Sequence, residues 1–385
     1  MHAENNYQKK MIAAWGWVFL SLAVALLIAA GVGFIFPIWY GIGNKENLTN
    51  YGPQAQEPWG PFSCTGDAQA VVGQGDSSSS QTSNVIASKG YQVSLSAINT
   101  NVLQEYPDLT RIKSDLINPY KSKLSDKYNT HLFWGDSCNR LGKSVLSEIE
   151  NQGECQSCWA FALATISQAA VAIDKVDSQN NSVLQSVQYI LNQTKSNCGK
   201  GTFKNGLLAV STTGIPTNDS CVYTSSDGSG ADGFCTNRAG SENKLTGDDF
   251  VATNLKGFHI STGSLGTFNA ELKQLLQIWG PLAVSIEFDN KWIDVSKYQV
   301  IGLPMGYVVD HEVVLVGYSR TENQDYWILQ NSCGEDYGNQ GFFAIGMTDR
   351  MDIKAIFGEV GGLTAVTANP NALDISGQNP TTYSL

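Results

Sequence analysis

Apolar positions fall along this chain in three patterns, and each predicts a different kind of element. One is an unbroken run. Met11 to Gly43 holds no charged residue, and its heart, Trp15 to Phe36, exceeds the ~20 residues a helix needs to span a bilayer. Another is the three- and four-residue spacing of a helix with one buried face. Leu103, Tyr106, Leu109, Ile112, Leu116 and Tyr120 recur in this way, broken by Pro107 and Pro119, which predicts short helices between Ser94 and Asn129. Ala160 to Val176 is rich in Ala and free of Pro and Gly, so it reads as a buried helix. Leu184 to Leu191 reads as the next, and Gly206 to Ile215 starts as one. Asn269 to Trp279 predicts an amphipathic helix with Leu272, Leu275, Leu276 and Ile278 as its stripe, stopped by Gly280-Pro281.

The third pattern is the short apolar run of a buried strand. Leu282 to Phe288 is one, and Asp310 to Tyr318 is another, apolar on both faces. A polar turn, Ser319 to Gln324, separates the latter from Tyr326 to Asn331. A symmetric hairpin centred on Thr321 pairs Val316 with Tyr326, Val314 with Ile328 and His311 with Asn331. Directly opposed side chains lie ~5 Å apart, so this register predicts a His–Asn contact, and a one-residue slip would break it. Residues 44–89 are rich in Gly, Ser, Gln and Pro and read as a flexible stalk. Thr217 to Glu242 reads as a loop, and the segment after Thr367 as a loose polar tail.

Composition narrows the class. The 385 residues, 42% hydrophobic and 15% charged, suffice for a globular domain of over ~200 residues with extensions. A net charge of −11 with no basic run excludes a nucleic-acid partner. Lys9 and Lys10 precede the long apolar run, and Trp15, Trp17, Trp39 and Tyr40 flank it like an aromatic belt. We expect an uncleaved signal anchor with the N-terminus cytoplasmic and the bulk extracytoplasmic, in a secretory or lysosome-like lumen or on a cell or virion exterior. A signal peptide cut near Ala29-Ala30-Gly31 is the alternative. Eight cysteines suit an oxidising compartment, and sequons at Asn47, Asn180, Asn192 and Asn218 would be open to glycosylation in a eukaryotic host.

Candidate chemistry centres on Asn151 to Phe161, Asn-Gln-Gly-Glu-Cys-Gln-Ser-Cys-Trp-Ala-Phe. Ser157 is expected to cap the helix that follows, which sets Cys158 in the first turn. Unpaired N–H groups and the positive end of the helix dipole there favour thiolate over thiol. A redox pair or half a zinc site would also use Cys155-x-x-Cys158. No second Cys-x-x-Cys completes a zinc site, and the polar lead-in is not the strand a thioredoxin-like motif requires. No cofactor or metal is expected. Of the four histidines, His2 precedes the anchor, and His311 stands at a strand end with Asn331 opposite.

The motif resembles the signature of papain-like cysteine peptidases, the cathepsin group, where Gln-Gly-x-Cys-Gly-Ser-Cys-Trp is usual. Gln152, Gly153, Cys155, Ser157, Cys158 and Trp159 match it. Two further blocks resemble the family in order: Asp310-His311-Glu312 with Val316-Gly317-Tyr318, and Asn331-Ser332-Cys333-Gly334 running on to Gly341-Phe342. Cys158 and His311 are 153 residues apart, close to the family's ~130–150. The resemblance implies an α+β, two-lobed papain-like fold, with a helical left lobe and an antiparallel β-barrel-like right lobe about a cleft. Here it would be preceded by a single transmembrane helix. The corresponding organisation is 1–10 cytoplasmic, 11–43 anchor, 44–89 stalk, 90–130 pro-segment or stem, 131–367 peptidase domain and 368–385 tail. The pro-segment reading has the 90–130 stretch cover the cleft, on position alone.

By the same resemblance Cys158 is the nucleophile, His311 its base, Asn331 the orienter of the imidazole, and Gln152 an oxyanion donor. Gly201, Ser285, Asp310 and Glu312 would meet substrate, with Gly201 offering its backbone to an extended peptide. Glu312 would give its pocket a taste for basic side chains, unless the charge is simply solvated. Cys155 would pair with Cys198, and Cys221 with Cys235. That leaves Cys64, Cys138 and Cys333, so at least one is free or bridges to another chain. Three departures from the pattern stand out: Cys333 replaces a tryptophan that shields the His–Asn bond, Gln156 replaces a glycine, and Glu312 replaces a small residue. The expected function is a membrane-tethered endopeptidase acting on peptides or proteins, of undetermined oligomeric state. The alternative is a catalytically impaired papain-fold protein that binds or scaffolds through its cleft. A single-anchor lumenal transferase shares the topology but accounts for none of the three blocks.

Overall fold

The computed structural model describes residues 102–174, 183–196, 198–228, 235, 245–262, 265, 267–288, 300–301, 309–322, 324–347 and 357–369. The apolar run at 11–43, the 44–89 stalk and the polar tail lie outside the described residues. Among the described residues no helix is long and apolar enough to cross a membrane.

One ten-stranded mixed sheet organises the chain. Its strands are β1 Leu103–Tyr106, β2 Leu132–Phe133, β3 Ile215–Pro216, β4 Phe250–Ser261, β5 Leu282–Ile286, β6 Val300–Ile301, β7 His311–Arg320, β8 Asp325–Gln330, β9 Phe342–Gly346 and β10 Glu359–Ala368. Along the sheet the order is β1-β4-β10-β5-β7-β8-β9-β6, with β2 on β7 and β3 on β4. The β1–β4 and β6–β9 pairs are parallel and the others antiparallel. β5, β8 and β9 are buried along almost their whole length, in keeping with their largely apolar sequence.

Four principal helices pack around this sheet: α1 Cys158–Asp174, α2 Val187–Thr194, α3 Phe203–Val210 and α4 Asn269–Trp279. α1 is buried on all sides from Trp159 to Ala169, because it lies between the sheet strands β5, β7 and β10 and the helices α2 and α3. α2 and α3 begin where caps allow. Ser186 Oγ accepts the Tyr189 N–H at 2.9 Å, and Thr202 Oγ1 accepts the Asn205 N–H at 3.2 Å. α3 therefore starts ahead of Gly206, and α2 after Leu184. α4 coincides with its apolar stripe and stops at Gly280, whose φ of 88° ends the helix.

Residues 102–130 dock on this core. Leu103–Tyr106 is not helical but adds β1 to the sheet edge beside β4, where its backbone finds partners. Short helical turns from Leu109 to Tyr128 follow. They rest on α4: Trp279 Nε1 donates to Leu116 O at 3.1 Å, Tyr120 meets the Trp279 ring edge-on at 4.6 Å, and Ser125 N–H reaches Gln277 Oε1.

The β7–β8 register corrects the symmetric hairpin. The turn is closed by Thr321 N–H on Gln324 O, so Arg320 faces Asp325 and Gly317 faces Ile328. A bulge at Val316, whose carbonyl turns to the Trp134 N–H, then sets Val314 opposite Gln330. Asn331 lies past the end of this ladder and is not directly opposed to His311. The two are diagonal neighbours on one face, a separation that longer side chains still cross.

Candidate active site

Cys158 opens α1 within a loop that is pinned on three sides. Gly153 has a φ of 61°, and a Cβ there would sit 2.1 Å from Ser226 O, so only glycine lets Glu154 N–H reach that carbonyl. Cys155 is bonded to Cys198. Gly201 lies against the Trp159 indole, with no room for a Cβ, and the indole Nε1 donates to Gln156 O. The Ser157 side chain does not cap the helix as expected. Its Oγ faces Tyr223 Oη at 3.1 Å, and the Tyr223 hydroxyl donates to Gln152 O at 2.8 Å.

A short ladder joins this loop to the segment after β8. Gln152 N–H donates to Ser332 O at 2.8 Å, Gly334 N–H to Glu150 O at 3.1 Å, and Asn151 bridges to Cys333. Side chains reinforce it. Ser332 Oγ donates to Gln152 Oε1 at 2.7 Å, and Gln152 Nε2 donates to Cys155 O at 2.9 Å, so the Gln152 amide is fixed beside the head of α1.

His311 Nε2 lies 2.9 Å from Asn331 Oδ1, which also accepts the Ser332 N–H at 2.9 Å. An amide oxygen can only accept, so Nε2 carries the hydrogen and Nδ1 keeps its lone pair. Cys158 comes up against the same strand. The Glu312 backbone N–H, one residue past His311, acts on the Cys158 sulfur and favours its thiolate. Cys158, His311, Asn331 and Gln152 are thus gathered around one locus.

The electrostatics reverse one expectation. Burial pushes the Cys158 thiol up to about 11; the charge of Glu312 adds to this, while N–H groups of Glu312, Trp159 and Cys158 itself pull the other way. The helix end alone does not make a thiolate, because desolvation outweighs it. Burial also holds His311 below its ordinary value, against the Asn331 hydrogen bond and the charge of Asp310. Each group by itself prefers its neutral form.

The departures also resolve differently. Asn331 is only 3% exposed although Cys333 stands where a tryptophan is usual. The Phe288 ring covers His311 at 4.5 Å between centroids, and Tyr337 lies 6.3 Å beyond it. Phe288 is held by its N–H on Asp310 Oδ1 at 2.9 Å. Nothing local in the sequence pointed to Phe288, 23 residues from His311. Gln156 is exposed, so its bulk does not fill the site. Glu312 is neither a solvated charge nor an open acidic pocket: it is 7% exposed, and its carboxylate oxygen accepts the Phe203 N–H. Ser285 is its direct neighbour across the β5–β7 ladder. Cys221 is bonded to Cys235, Cys138 is in a disulfide, and Cys158 and Cys333 are free thiols. His131, Asp136 and Cys138 bring possible metal ligands together, but the disulfide takes the Cys138 thiolate away.

A thiol at the head of a buried helix, an imidazole oriented by an amide and a fixed glutamine amide define a class that sequence comparison confirms. Residues 136–356 match the papain family cysteine protease model, and the chain belongs to that family. A viral cathepsin of Epiphyas postvittana nucleopolyhedrovirus is 30% identical over 205 residues, 52% of this chain and 56% of the viral protein. Chymopapain of Carica papaya is 27% identical over 53% of this chain and 52% of its own. The chain spans about half the length of these relatives. The bromelain protease structure from Ananas comosus, in complex with the E64 inhibitor, covers 61% of this chain and 98% of its own, at 19% identity and a TM-score of 0.48.

Proposed function

We propose that this chain is a thiol-dependent endopeptidase that cuts peptide bonds through Cys158, His311 and Asn331, with Gln152 and the Cys158 N–H receiving the developing oxyanion. The observation that carries this reading is the His311 Nε2 to Asn331 Oδ1 hydrogen bond, which leaves Nδ1 as the free base. As Cys158 attacks the scissile carbonyl, its proton passes to His311. The imidazolium later protonates the leaving amine, and water then releases the acyl group from sulfur. Gly201, Ser285 and Asp310 would line the bound peptide. Sequence adds the setting, a single N-terminal anchor within 11–43 with the peptidase domain extracytoplasmic and open to glycosylation.

A second reading, a catalytically silent binding module, is favoured by the burial that holds the Cys158 thiol up. One experiment separates them. A thiol-directed epoxide probe applied to the full chain in membranes should label it, and the labelled band should resist alkaline extraction. Labelling and peptide cleavage should both vanish in Cys158→Ala. Labelling that persists in that variant, or never occurs, sinks the peptidase, and release of the uncut chain by alkali sinks the anchor.

A further inference from the structure

Residues 102–130 stand where the sequence predicts a pro-segment or stem, and they are built into the peptidase core. Leu103–Tyr106 pairs residue for residue with Gly257–Ile260 of β4, which gives that strand its parallel neighbour. Ile112, Leu116 and Ile117 are at most 2% exposed, and they belong to the same apolar cluster as α1 and α4. Tyr120 packs edge-on against the Trp279 ring, and Lys123 Nζ lies over that ring at 5.2 Å. Removing the segment would return these side chains, and the face of α4 beneath them, to water.

Polar groups fasten the joint. On α4, Trp279 Nε1 donates to Leu116 O at 3.1 Å, Gln277 Oε1 accepts the Ser125 N–H at 3.1 Å, and Glu271 pairs with Lys113 at 2.8 Å. Gln277 Nε2 donates to Tyr318 Oη at 2.9 Å, and that hydroxyl donates to Tyr128 O at 2.6 Å. One buried chain of hydrogen bonds therefore links the segment, α4 and β7. Tyr128 Oη closes the arrangement on Asn139 O at 2.8 Å. The catalytic groups are not among these partners. Among the described residues, no hydrogen bond or ion pair joins 102–130 to Cys158, His311, Asn331 or Gln152. An inhibitory cover acts by filling the groove that substrate must enter, whereas the fastenings here are on α4, β7 and the edge of β4.

We propose that residues 102–130 are a fixed wall of the peptidase domain and not an inhibitor that is cut away. The domain then begins near residue 102, the active form retains the segment, and a cut just ahead of His131 does not switch the enzyme on. The inference concerns regulation of the peptidase already proposed and rests on that reading for its activity measurement. Whether the segment stays bound is a separate measurement that does not.

The test is a full chain with the recognition sequence of a site-specific protease inserted between Asn129 and Thr130, which are both exposed. It is cut in detergent and in a thiol-containing buffer, because Cys138 is disulfide-bonded and packing alone should hold the pieces. Cleavage of a fluorogenic peptide should not rise on cutting, and both pieces should elute together in gel filtration. A tethered inhibitor, held at an effective concentration of ~mM, would instead be set free, and activity would climb about tenfold or more. Any rise in activity overturns the proposal, and so does a freed N-terminal piece that leaves a folded remainder. A remainder that unfolds once the piece is gone upholds it. In the unaltered chain, molecules labelled at Cys158 by the epoxide probe should retain residues 102–130 by mass spectrometry, and labelled molecules that begin near His131 also overturn it. If Cys158 is inert before and after cutting, the peptidase reading fails, while co-elution of the pieces still decides this one.

Discussion

Gln152 is the residue whose work depends most on its neighbours. Its amide oxygen is taken by Ser332 Oγ and one amide hydrogen by Cys155 O, which leaves the second hydrogen for an oxyanion. Gln152→Ala should lower kcat by about 10²–10³ with little change in KM, the loss typical of one such donor. Ser332→Ala keeps the donor but frees its orientation, so it should cost less. Steady-state kinetics on a fluorogenic peptide checks both, and equal losses would show that Ser332 does more than hold the amide. Residue type and local pattern singled out Cys158, His311 and Asn331, and the family resemblance added Gln152. The ionisation of Cys158 and His311 was not legible, because their burial is set by segments that only the fold brings against them. Phe288 was missed for the same reason.

Among the elements, β1 is the one most open to control. Glu105 on this strand accepts from Lys204 of α3 and lies 2.9 Å from His259 Nδ1 on β4, while Glu359 of β10 lies 3.1 Å from His259 Nε2. Glu105 is held below its ordinary value chiefly by Lys204, and Glu359 chiefly by His259. Burial lowers His259, but the two carboxylates outweigh it and the net shift is upward. The carboxylate contribution is present above their ordinary value of 4.5 and fades as pH falls through their lowered values. The histidine contribution is present below its ordinary value of 6.5 and fades as pH rises through its raised value. The tie is therefore complete between those two values and weakens on either side. Hydrogen exchange should show the β1 amides better protected near pH ~6 than near pH ~8.5. Glu105→Gln should flatten that difference, and a difference that survives the substitution would mean another group holds the strand. The helical spacing through Leu103 and Tyr106 concealed this strand, since only pairing with β4 selects it over a helical turn.

At the scale of the whole molecule, covalent links fix the loops that the sheet and helices leave loose. Cys155–Cys198 spans 43 residues and joins the lead-in of α1 to the loop that carries Gly201. Replacing both cysteines with serine should cost about 3–4 kcal/mol in denaturant unfolding, as expected for closing a loop of that length. Unfolding at an unchanged midpoint would mean that packing of Gly201 on Trp159 already holds the loop. The cysteine count implied an odd thiol without naming it. The fold assigns that place to Cys333, because Cys138 is oxidised and Cys333 is carried by the bridge to Asn151.

Periodicity, stop signals and residue types acting over short spans determined most of α1, α4, β5, β7 and β8, and the three blocks that carry the chemistry. These are local properties, set by backbone sterics and by which side chains must leave water, so a linear string records them. Three further features belong to the tertiary structure alone: the bulge that shifts β7 against β8, the β1 edge strand, and the burial that pushes the Cys158 thiol and the Glu312 carboxyl up. Each depends on which distant segment supplies a hydrogen bond or excludes water, and no local spacing encodes that.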